Sequence, residues 1–327
     1  MASKIAPAIL AGNTVVAKPA TDDPTVSLLF ARILQQAGIP NGAVNIVTGV
    51  GREVGDALVK NRMVQMITLT GSTKTGKHVA EICDMKKLHL ELGGKGTAII
   101  APDADLKLAA RKVLEGSLKY SGQRCDSISR VIVVRELADA YLKEILEIFD
   151  TYKLGNPFDI GVKVVPLINL NAAENVQSLV DDAIQKGAKL IKGGKRKNNY
   201  FEPTLLYNVT LDARIAWEET FGPVVVIISV ESVDEAIEIV NKSNYGLDSC
   251  IFTNNLYTAW RVAKALEEGS VTINDAPAHG TGYFPFGGNK DSGLGREGIG
   301  YSLDEMTRIK TIQIDLSPLG LEKKLSK

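Results

Sequence analysis

The sequence is poor in cysteine and histidine, with three of each among its 327 residues. The cysteines Cys83, Cys125 and Cys250 form no CxxC pair and do not have the spacing of metal ligands. We therefore expect neither a disulfide framework nor a structural zinc site, and we predict no metal site of another kind.

The sequence also lacks an excess of either charge, because 38 Lys and Arg side chains balance 38 Asp and Glu side chains. Without an acidic or basic block, no broad electrostatic attraction to nucleic acid or to an anionic membrane is expected. The apolar runs are far shorter than the roughly 20 residues of a membrane-spanning helix, and the run at residues 6–11 is interpreted as core rather than as a signal peptide. We predict a soluble, cytoplasmic protein.

The order of apolar and polar segments predicts an α/β fold, and the chain is long enough for about two domains. Short apolar runs alternate with helical patterns in residues 1–93, as in βαβ units on a parallel sheet. The alternation restarts after residue 93 and continues to residue 292. We predict two Rossmann-like open-sheet domains with these bounds. Residues 293–327 would form a Gly-rich return that ends in a strand at residues 309–314.

Two side chains at predicted breaks in the chain suit nucleophilic catalysis. Glu91 ends an apolar run just before two glycines, and Cys125 follows a Gly-containing break after a helical pattern. A free thiol, with a pKa of about 8.5, is only a few per cent thiolate at neutral pH and needs a base or a cationic neighbour. Glu91 is the candidate base, directly or through a water, and Arg124 favours the thiolate if its side chain points inward. Taken singly, Cys125 fits a small buried hydrophobe and Glu91 a solvated acid.

Three longer motifs change that balance. They are, in chain order, Glu91-Leu92-Gly93-Gly94-Lys95, Ser121-Gly122-Gln123-Arg124-Cys125 and Glu218-Glu219-Thr220-Phe221-Gly222-Pro223-Val224. Together they resemble the aldehyde dehydrogenase superfamily. The closest resemblance is to its non-phosphorylating, NADP-dependent glyceraldehyde-3-phosphate dehydrogenases, through residues 120–125, 215–219 and 283–286. The expected fold is therefore aldehyde-dehydrogenase-like.

This resemblance implies a mechanism in which Cys125 attacks an aldehyde to give a thiohemiacetal, and hydride then passes to a nicotinamide. Glu91 would activate the water that hydrolyses the resulting thioester. In the subgroup, the arginine before the nucleophile faces the substrate phosphate, which implies that role for Arg124 and glyceraldehyde 3-phosphate as the substrate. Asp126 argues against a doubly charged substrate if it faces the pocket. Succinic semialdehyde and lactaldehyde therefore stay as alternatives.

The resemblance also implies which cofactor is preferred. Lys18 matches the family lysine that contacts the adenine ribose and its substituents. Thr21 lies three positions on, where many NAD-preferring relatives place a glutamate. Because a threonine hydroxyl can donate to a 2′-phosphate that a carboxylate would repel, we predict that NADP is preferred and that NAD is possible. Asp22 or Asp23 would restore the repulsion if either turned inward.

Four further residues match the family's cofactor contacts. Gly71 and Ser72 match the turn that meets the dinucleotide pyrophosphate at a helix N-terminus, where free N–H groups and the helix dipole favour anions. The same stretch nearly spells a Walker A loop, but His78 stands where a magnesium-binding hydroxyl is needed. Glu219 matches the residue that holds the nicotinamide ribose, and Phe221 the aromatic residue that lines the nicotinamide.

The resemblance covers about the last two-thirds of a family member. It implies that the cofactor domain is incomplete and that an asparagine which donates to the oxyanion is missing. We expect a homo-oligomer, a dimer or tetramer, in which the C-terminal strand pairs with a neighbouring subunit, and a separate chain that supplies the missing segment stays open. The alternative function is a non-catalytic remnant or partner subunit that keeps nucleotide binding.

Overall fold

The computed structural model describes residues 1–280 and 282–315 of the chain. Its helices are α1 (Ala2–Leu10), α2 (Thr25–Gln36), α3 (Asp56–Lys60), α4 (Thr73–Ile82), α5 (Leu106–Leu118), α6 (Ala138–Phe149), α7 (Leu170–Gln185), α8 (Val233–Asn241), α9 (Leu256–Ala265) and α10 (Tyr301–Glu305). A π-helical turn lies at Gly51–Gly55, and 3₁₀ turns lie at Lys119–Gly122, Arg135–Leu137 and Arg214–Ala216.

The strands are short at the two ends of the chain and longer in the middle. They are β1 (Val15–Ala17), β2 (Val44–Ile46), β3 (Met66–Thr70), β4 (Lys87–Glu91), β5 (Gly96–Ile100), β6 (Ile128–Val134), β7 (Lys153–Leu154), β8 (Val162–Val164), β9 (Lys189–Lys192), β10 (Arg196–Lys197), β11 (Tyr200–Phe201), β12 (Thr204–Tyr207), β13 (Val224–Val230), β14 (Tyr245–Gly246), β15 (Asp248–Phe252), β16 (Ser270–Ile273), β17 (Asn289–Lys290) and β18 (Gly293–Leu294).

The main sheet has seven strands in the order β16-β15-β5-β6-β13-β12-β9. All neighbours are parallel except β9, which runs antiparallel to β12 at the edge. Strands buried on both faces are typical of parallel sheets covered by helices. Successive residues of β5 accordingly face opposite cores, with Ile99 in one and Ile100 in the other. This rigid sheet carries the loops of the candidate site.

The N-terminal strands are parallel as predicted, but they are divided between two small sheets. β1 pairs with β2, and β3 pairs with β4. The Gly-rich return adds β18 antiparallel to β4, with Gly293 opposite Glu91. The return therefore lies directly against the end of the strand that carries the candidate base.

Several local predictions differ from the structure. The sequence Asp23-Pro24 predicts Asp23 as the N-cap of α2, but Pro24 occupies that position and no side chain among the described residues caps the helix. Strands β10 to β12 were not predicted. In the described part of the chain, residues 309–314 are assigned no strand, and Ile309, Ile312 and Ile314 are exposed. A strand needs a pairing partner, so its pairing with a neighbouring subunit stays a prediction, as do the domain bounds at residues 93 and 292.

Residues 316–327 of the predicted C-terminal unit lie outside the described residues. None of the helices described here is long and apolar enough to cross a membrane.

Candidate active site

Three loops meet at the candidate site: the loop after β4, the loop before β6 and the loop before β13. Glycines permit their close approach. A Cβ on Gly93 would lie 2.7 Å from Glu219 Oε2, and one on Gly94 would lie 2.8 Å from the carbonyl oxygen of Cys125. The Gly94 N–H donates to Glu219 Oε1 at 3.2 Å. The structure thus brings Cys125 and Glu219 to the loop that directly follows Glu91.

The backbone before the nucleophile is held in an unfavourable conformation. Tyr120 and Ser121 have φ values of 51° and 58°, a region that side-chain-bearing residues seldom adopt. The Ser121 hydroxyl fixes this turn by donating to the Val165 carbonyl and accepting from the Val165 N–H, both at 2.8 Å. Gly122 follows with φ of 71°, and a Cβ there would lie 2.1 Å from the Gly222 carbonyl oxygen. The position of Cys125 is therefore set by contacts from outside its own loop.

Cys125 is half-buried, and its surroundings favour the neutral thiol over the thiolate. Burial raises the pKa of Cys125 to about 12, and the neighbouring carboxyls of Asp126, Asp248 and Glu219 add to the rise. A hydrogen bond from the Asp126 backbone opposes it. The expectation that Arg124 favours the thiolate is not met. The Arg124 side chain turns to Asp126 instead, with Nε 3.2 Å from Asp126 Oδ1.

The raised pKa predicts the pH dependence of alkylation at this thiol. Because only the thiolate reacts, the rate of Cys125 alkylation by iodoacetamide should rise about tenfold per pH unit between about pH 7 and pH 10. Cys83 and Cys250 are buried, so peptide mapping can assign the label, with Cys125→Ser as the control. A plateau near pH 8 would contradict a pKa as high as about 12.

Glu91 ends β4 and is only 4% exposed. Its Oε1 lies 3.1 Å from His89 Nε2, while Oε2 has no hydrogen-bond partner within residues 1–280 and 282–315. Burial raises the pKa of Glu91, and the hydrogen bond from His89 opposes the rise. A carboxylate with a raised pKa and one unpaired oxygen suits a general base. His89 was missed in the sequence, although residues two apart on a strand share a face.

The Gly-rich return supplies a second buried acid near Glu91. Glu297 accepts from Lys4 Nζ at 3.0 Å and lies 2.9 Å from His279 Nε2. Burial alone would raise the pKa of Glu297, but these two partners outweigh it and lower the pKa to about 2. The charge of Glu297 in turn adds to the raised pKa of Glu91. His279 is thus an ion-pair partner of Glu297, and its hydrogen bond to Glu297 raises the pKa of His279.

The nicotinamide-side candidates lie in the third loop. Glu219 is largely buried, and burial raises its pKa against the Gly94 hydrogen bond and the charge of Lys95. Lys95 is itself buried and donates to Thr220 Oγ1 at 3.1 Å. Phe221 is 42% exposed with φ of 49°, so its ring is available to an aromatic ligand. Buried acids with shifted pKa values at such a junction are typical of functional sites.

The adenine-side candidates converge on one backbone carbonyl. Lys18 Nζ donates to the Gly49 carbonyl at 3.2 Å, and the Thr21 hydroxyl donates to the same oxygen at 3.5 Å. Asp22 Oδ2 accepts from Asn169 Nδ2 at 2.7 Å and so has a partner of its own. Lys18 has carbonyl oxygens but, among the described residues, no carboxylate as a partner. A half-buried cation beside a hydroxyl that makes only a long hydrogen bond fits a ribose phosphate.

Gly71 and Ser72 lie at the N-terminus of α4, as predicted. Ser72 is the N-cap, and its hydroxyl accepts from the Thr75 N–H at 3.3 Å. The Gly71 N–H donates to the Glu91 carbonyl at 3.0 Å. This positive helix end is therefore tied to the strand that carries the candidate base.

A cleft of about 830 Å³ lies between α4 and Trp217, Glu218 and Tyr245. It contains neither Cys125 nor Glu91, although Glu218 adjoins the candidate Glu219. The part of the chain that the structure describes holds no cluster of three or more His, Cys, Asp and Glu residues that could bind a metal.

The fold and site together define an α/β protein in which a thiol, Cys125, lies where the loop that carries Glu219 meets the loop that follows the buried Glu91. Lys18 and the N-terminus of α4 supply positive charge that favours an anion. The model of the aldehyde dehydrogenase family matches residues 1–312. The chain belongs to that family.

Individual relatives share close to half of its residues. The chain is 45% identical over 315 residues to an NADP-dependent glyceraldehyde-3-phosphate dehydrogenase of Streptococcus equinus, which covers 96% of this chain and 66% of the relative. It is 42% identical to a lactaldehyde dehydrogenase of Methanococcus aeolicus, over 96% of this chain and 68% of the relative. The crystal structure of the Bacillus halodurans C-125 glyceraldehyde-3-phosphate dehydrogenase complexed with NADP matches with a TM-score of 0.92 at 45% identity, covering 94% of this chain and 64% of that one. The chain spans about two-thirds of the length of these relatives.

Proposed function

We propose that this protein oxidises an aldehyde to the carboxylic acid with NADP. The observation that carries the proposal is the junction of loops that joins Cys125 and Glu219 to the loop following Glu91. Each residue has the chemistry that the reaction needs, and the chain belongs to a family whose relatives carry names of aldehyde dehydrogenases.

In the proposed reaction, the Cys125 sulfur attacks the aldehyde carbon to form a thiohemiacetal. The Cys125 backbone N–H is a candidate donor to the oxyanion that forms. Loss of hydride leaves a thioester, which is attacked by a water whose proton passes to Glu91, and the carbon–sulfur bond then breaks to release the carboxylic acid and the Cys125 thiolate. The alternative, nucleotide binding without turnover, would keep the cofactor contacts and lose these steps.

The residues at the cofactor edge fit a dinucleotide with a 2′-phosphate. Lys18 and Thr21 would hold the phosphate, Gly71 and Ser72 the pyrophosphate, and Glu219 the nicotinamide ribose, with Phe221 beside the ring. The nicotinamide, when bound, supplies the hydride acceptor. The names of the similar glyceraldehyde-3-phosphate dehydrogenases, which include NADP, support this choice.

The cofactor preference can be tested at Thr21. The change Thr21→Glu should raise the Kd of NADP by about tenfold or more relative to that of NAD, because a carboxylate there repels a 2′-phosphate. Titration followed by fluorescence would measure both constants. Thr21→Gln is the matched control, similar in size but uncharged. An equal loss of affinity for both cofactors would show that Thr21 does not lie at the phosphate.

For the substrate, we propose glyceraldehyde 3-phosphate first, because similar enzymes are named for it. Lactaldehyde is the second candidate, favoured by the ion pair of Arg124 with Asp126. Absorbance at 340 nm with NADP and each aldehyde, including succinic semialdehyde, tests the proposal. NADP binding without oxidation of any of them would support the non-catalytic alternative.

We also propose that the protein is a cytoplasmic homo-oligomer, a dimer or a tetramer. Ile309, Ile312 and Ile314 are exposed along one unpaired segment, which suits pairing with a second copy. Light scattering of the purified protein would measure its mass. A monomer would contradict the proposal.

A further inference from the structure

The charges around the thiol are unusual for a pocket that receives an anionic substrate. The ionisable side chains that raise the pKa of the Cys125 thiol through their charge are Asp126, Asp248 and Glu219, and all three are carboxyls. Arg124 precedes Cys125 directly, but it is not among the groups that shift this pKa most. The sequence left both signs open, with Arg124 before the thiol and Asp126 after it.

Arg124 is occupied by its surroundings. Nε lies 3.2 Å from Asp126 Oδ1, too misaligned for a hydrogen bond but close enough for an ion pair. Nη2 donates to the carbonyl oxygens of Gly116 and Asp126, each at 3.4 Å. Only 15% of the Arg124 side chain and 9% of the Asp126 side chain are exposed. In such a largely buried ion pair, the field of each charge on an approaching ligand is largely cancelled by the other.

Two further ionisable residues near the pocket, Asp248 and His279, supply no unpaired positive charge beside the thiol. Asp248 is fully buried, and neither of its oxygens has a hydrogen-bond partner. Burial, followed by the charge of Asp126, raises the pKa of Asp248 well above its usual range, which favours the neutral acid at this position. The charge of Asp126 also contributes to the raised pKa of His279, but the Nε2 atom of His279 is paired with Glu297 Oε1 at 2.9 Å.

We propose that Asp126 is a specificity-determining residue that neutralises Arg124 and makes the pocket at Cys125 select against reactants with negative charge close to the reacting carbon. The inference rests on the proposed aldehyde site and refines its substrate class. The names of the relatives favour glyceraldehyde 3-phosphate, but the charges at Cys125 reverse that order and place uncharged aldehydes such as lactaldehyde first. Loss of the Asp126 charge would release Arg124 for an anionic group.

The test compares two alkylating reagents that differ in charge, iodoacetate and iodoacetamide. Both react with the same thiolate, so the ratio of their rates at Cys125 is independent of its pKa. Relative to 2-mercaptoethanol, the iodoacetate to iodoacetamide ratio for the wild-type protein should be about tenfold lower, because Asp126 cancels the charge of Arg124 and leaves the carboxyl of Glu219 to repel an anionic reagent near the sulfur. Mass spectrometry of the Cys125 peptide measures both rates.

Variants assign the effect to the pair. Asp126→Asn should raise the ratio by about tenfold, whereas Asp126→Glu, which keeps the carboxylate, should leave it low. Arg124→Gln should lower the ratio further, and adding Arg124→Gln to Asp126→Asn should remove part of the gain, because the gain requires the released guanidinium. A wild-type ratio equal to that of 2-mercaptoethanol, or no change in Asp126→Asn, would overturn the proposal.

This readout needs neither cofactor nor turnover, so it separates the inference from the proposed function. If the protein oxidises aldehydes, the ratio of kcat/KM for glyceraldehyde 3-phosphate to that for glyceraldehyde should rise about tenfold in Asp126→Asn. Oxidation with an unchanged ratio would contradict the role of Asp126 alone. An alkylation ratio that responds as described, without oxidation of any aldehyde, would contradict the proposed function alone.

Discussion

Replacement of Cys125 by alanine is expected to abolish the burst of NADPH that forms when the protein is mixed with aldehyde and NADP. Removal of a nucleophile typically costs on the order of 10⁴–10⁶ in rate. Here no other thiol can substitute, because Cys83 and Cys250 are buried in separate cores. Stopped-flow absorbance at 340 nm would measure the burst and its amplitude per site.

The control is titration of NADP binding by the same variant. Cys125 is half-buried in a loop, and alanine removes only its sulfur atom. Binding should therefore persist while the burst is lost. A burst of equal amplitude in Cys125→Ala would show that another group attacks the aldehyde. Loss of both binding and burst would point to a misplaced loop, which circular dichroism would reveal.

The high pKa of this thiol gives the burst a further meaning. With a pKa of about 12 in the cofactor-free protein, less than about one thiol in 10⁴ is ionised at neutral pH. Reaction at a useful rate then needs a base or a change in surroundings when cofactor binds. Since the nearest charged groups are carboxyls, any activating positive charge has to come with the ligands or from released Arg124.

Local sequence patterns were sufficient where the structure itself is local. Val224–Val230 is apolar except for Ser229, and such a run predicts the strand, buried on both faces along most of its length, that the structure shows. The break before Cys125 and the end of the strand at Glu91 were likewise visible, because glycines interrupt the apolar periodicity there. The helix that follows Gly71 and Ser72 was also visible in the sequence, because the apolar residues change there from the period of a strand to that of a helix.

The contacts that define the site were not visible because they join distant segments. Residues 293–298 were predicted only as part of a Gly-rich return. In the structure, it pairs with β4 and places Glu297 among His279, Lys4 and Glu91. No local periodicity encodes such a meeting. The same holds for Arg124, whose orientation depends on the carbonyl of Gly116, eight residues away.

The change Glu91→Gln is expected to separate the two halves of the proposed reaction. The amide keeps the size and the contact with His89 but cannot accept a proton from water. Steady-state turnover should therefore fall by about 10²–10⁴, the usual contribution of a general base, while the first NADPH per site still forms. Because burial raises the pKa of Glu91, wild-type turnover should also fall as the pH is lowered through that raised value, where the carboxylate becomes protonated.

Pre-steady-state absorbance measures both quantities in one experiment, and His89→Phe offers a comparison in which the base is kept and its hydrogen bond is lost. Without the His89 hydrogen bond, which holds the pKa of Glu91 down, the acid limb of turnover should move to higher pH. If Glu91→Gln removed the burst together with turnover, Glu91 would instead act on the Cys125 thiol. Glu91 Oε2 accepts no hydrogen bond from any of the residues described, which favours a water molecule as its partner. The burst amplitude therefore decides between the two roles that a carboxylate at this strand end can have.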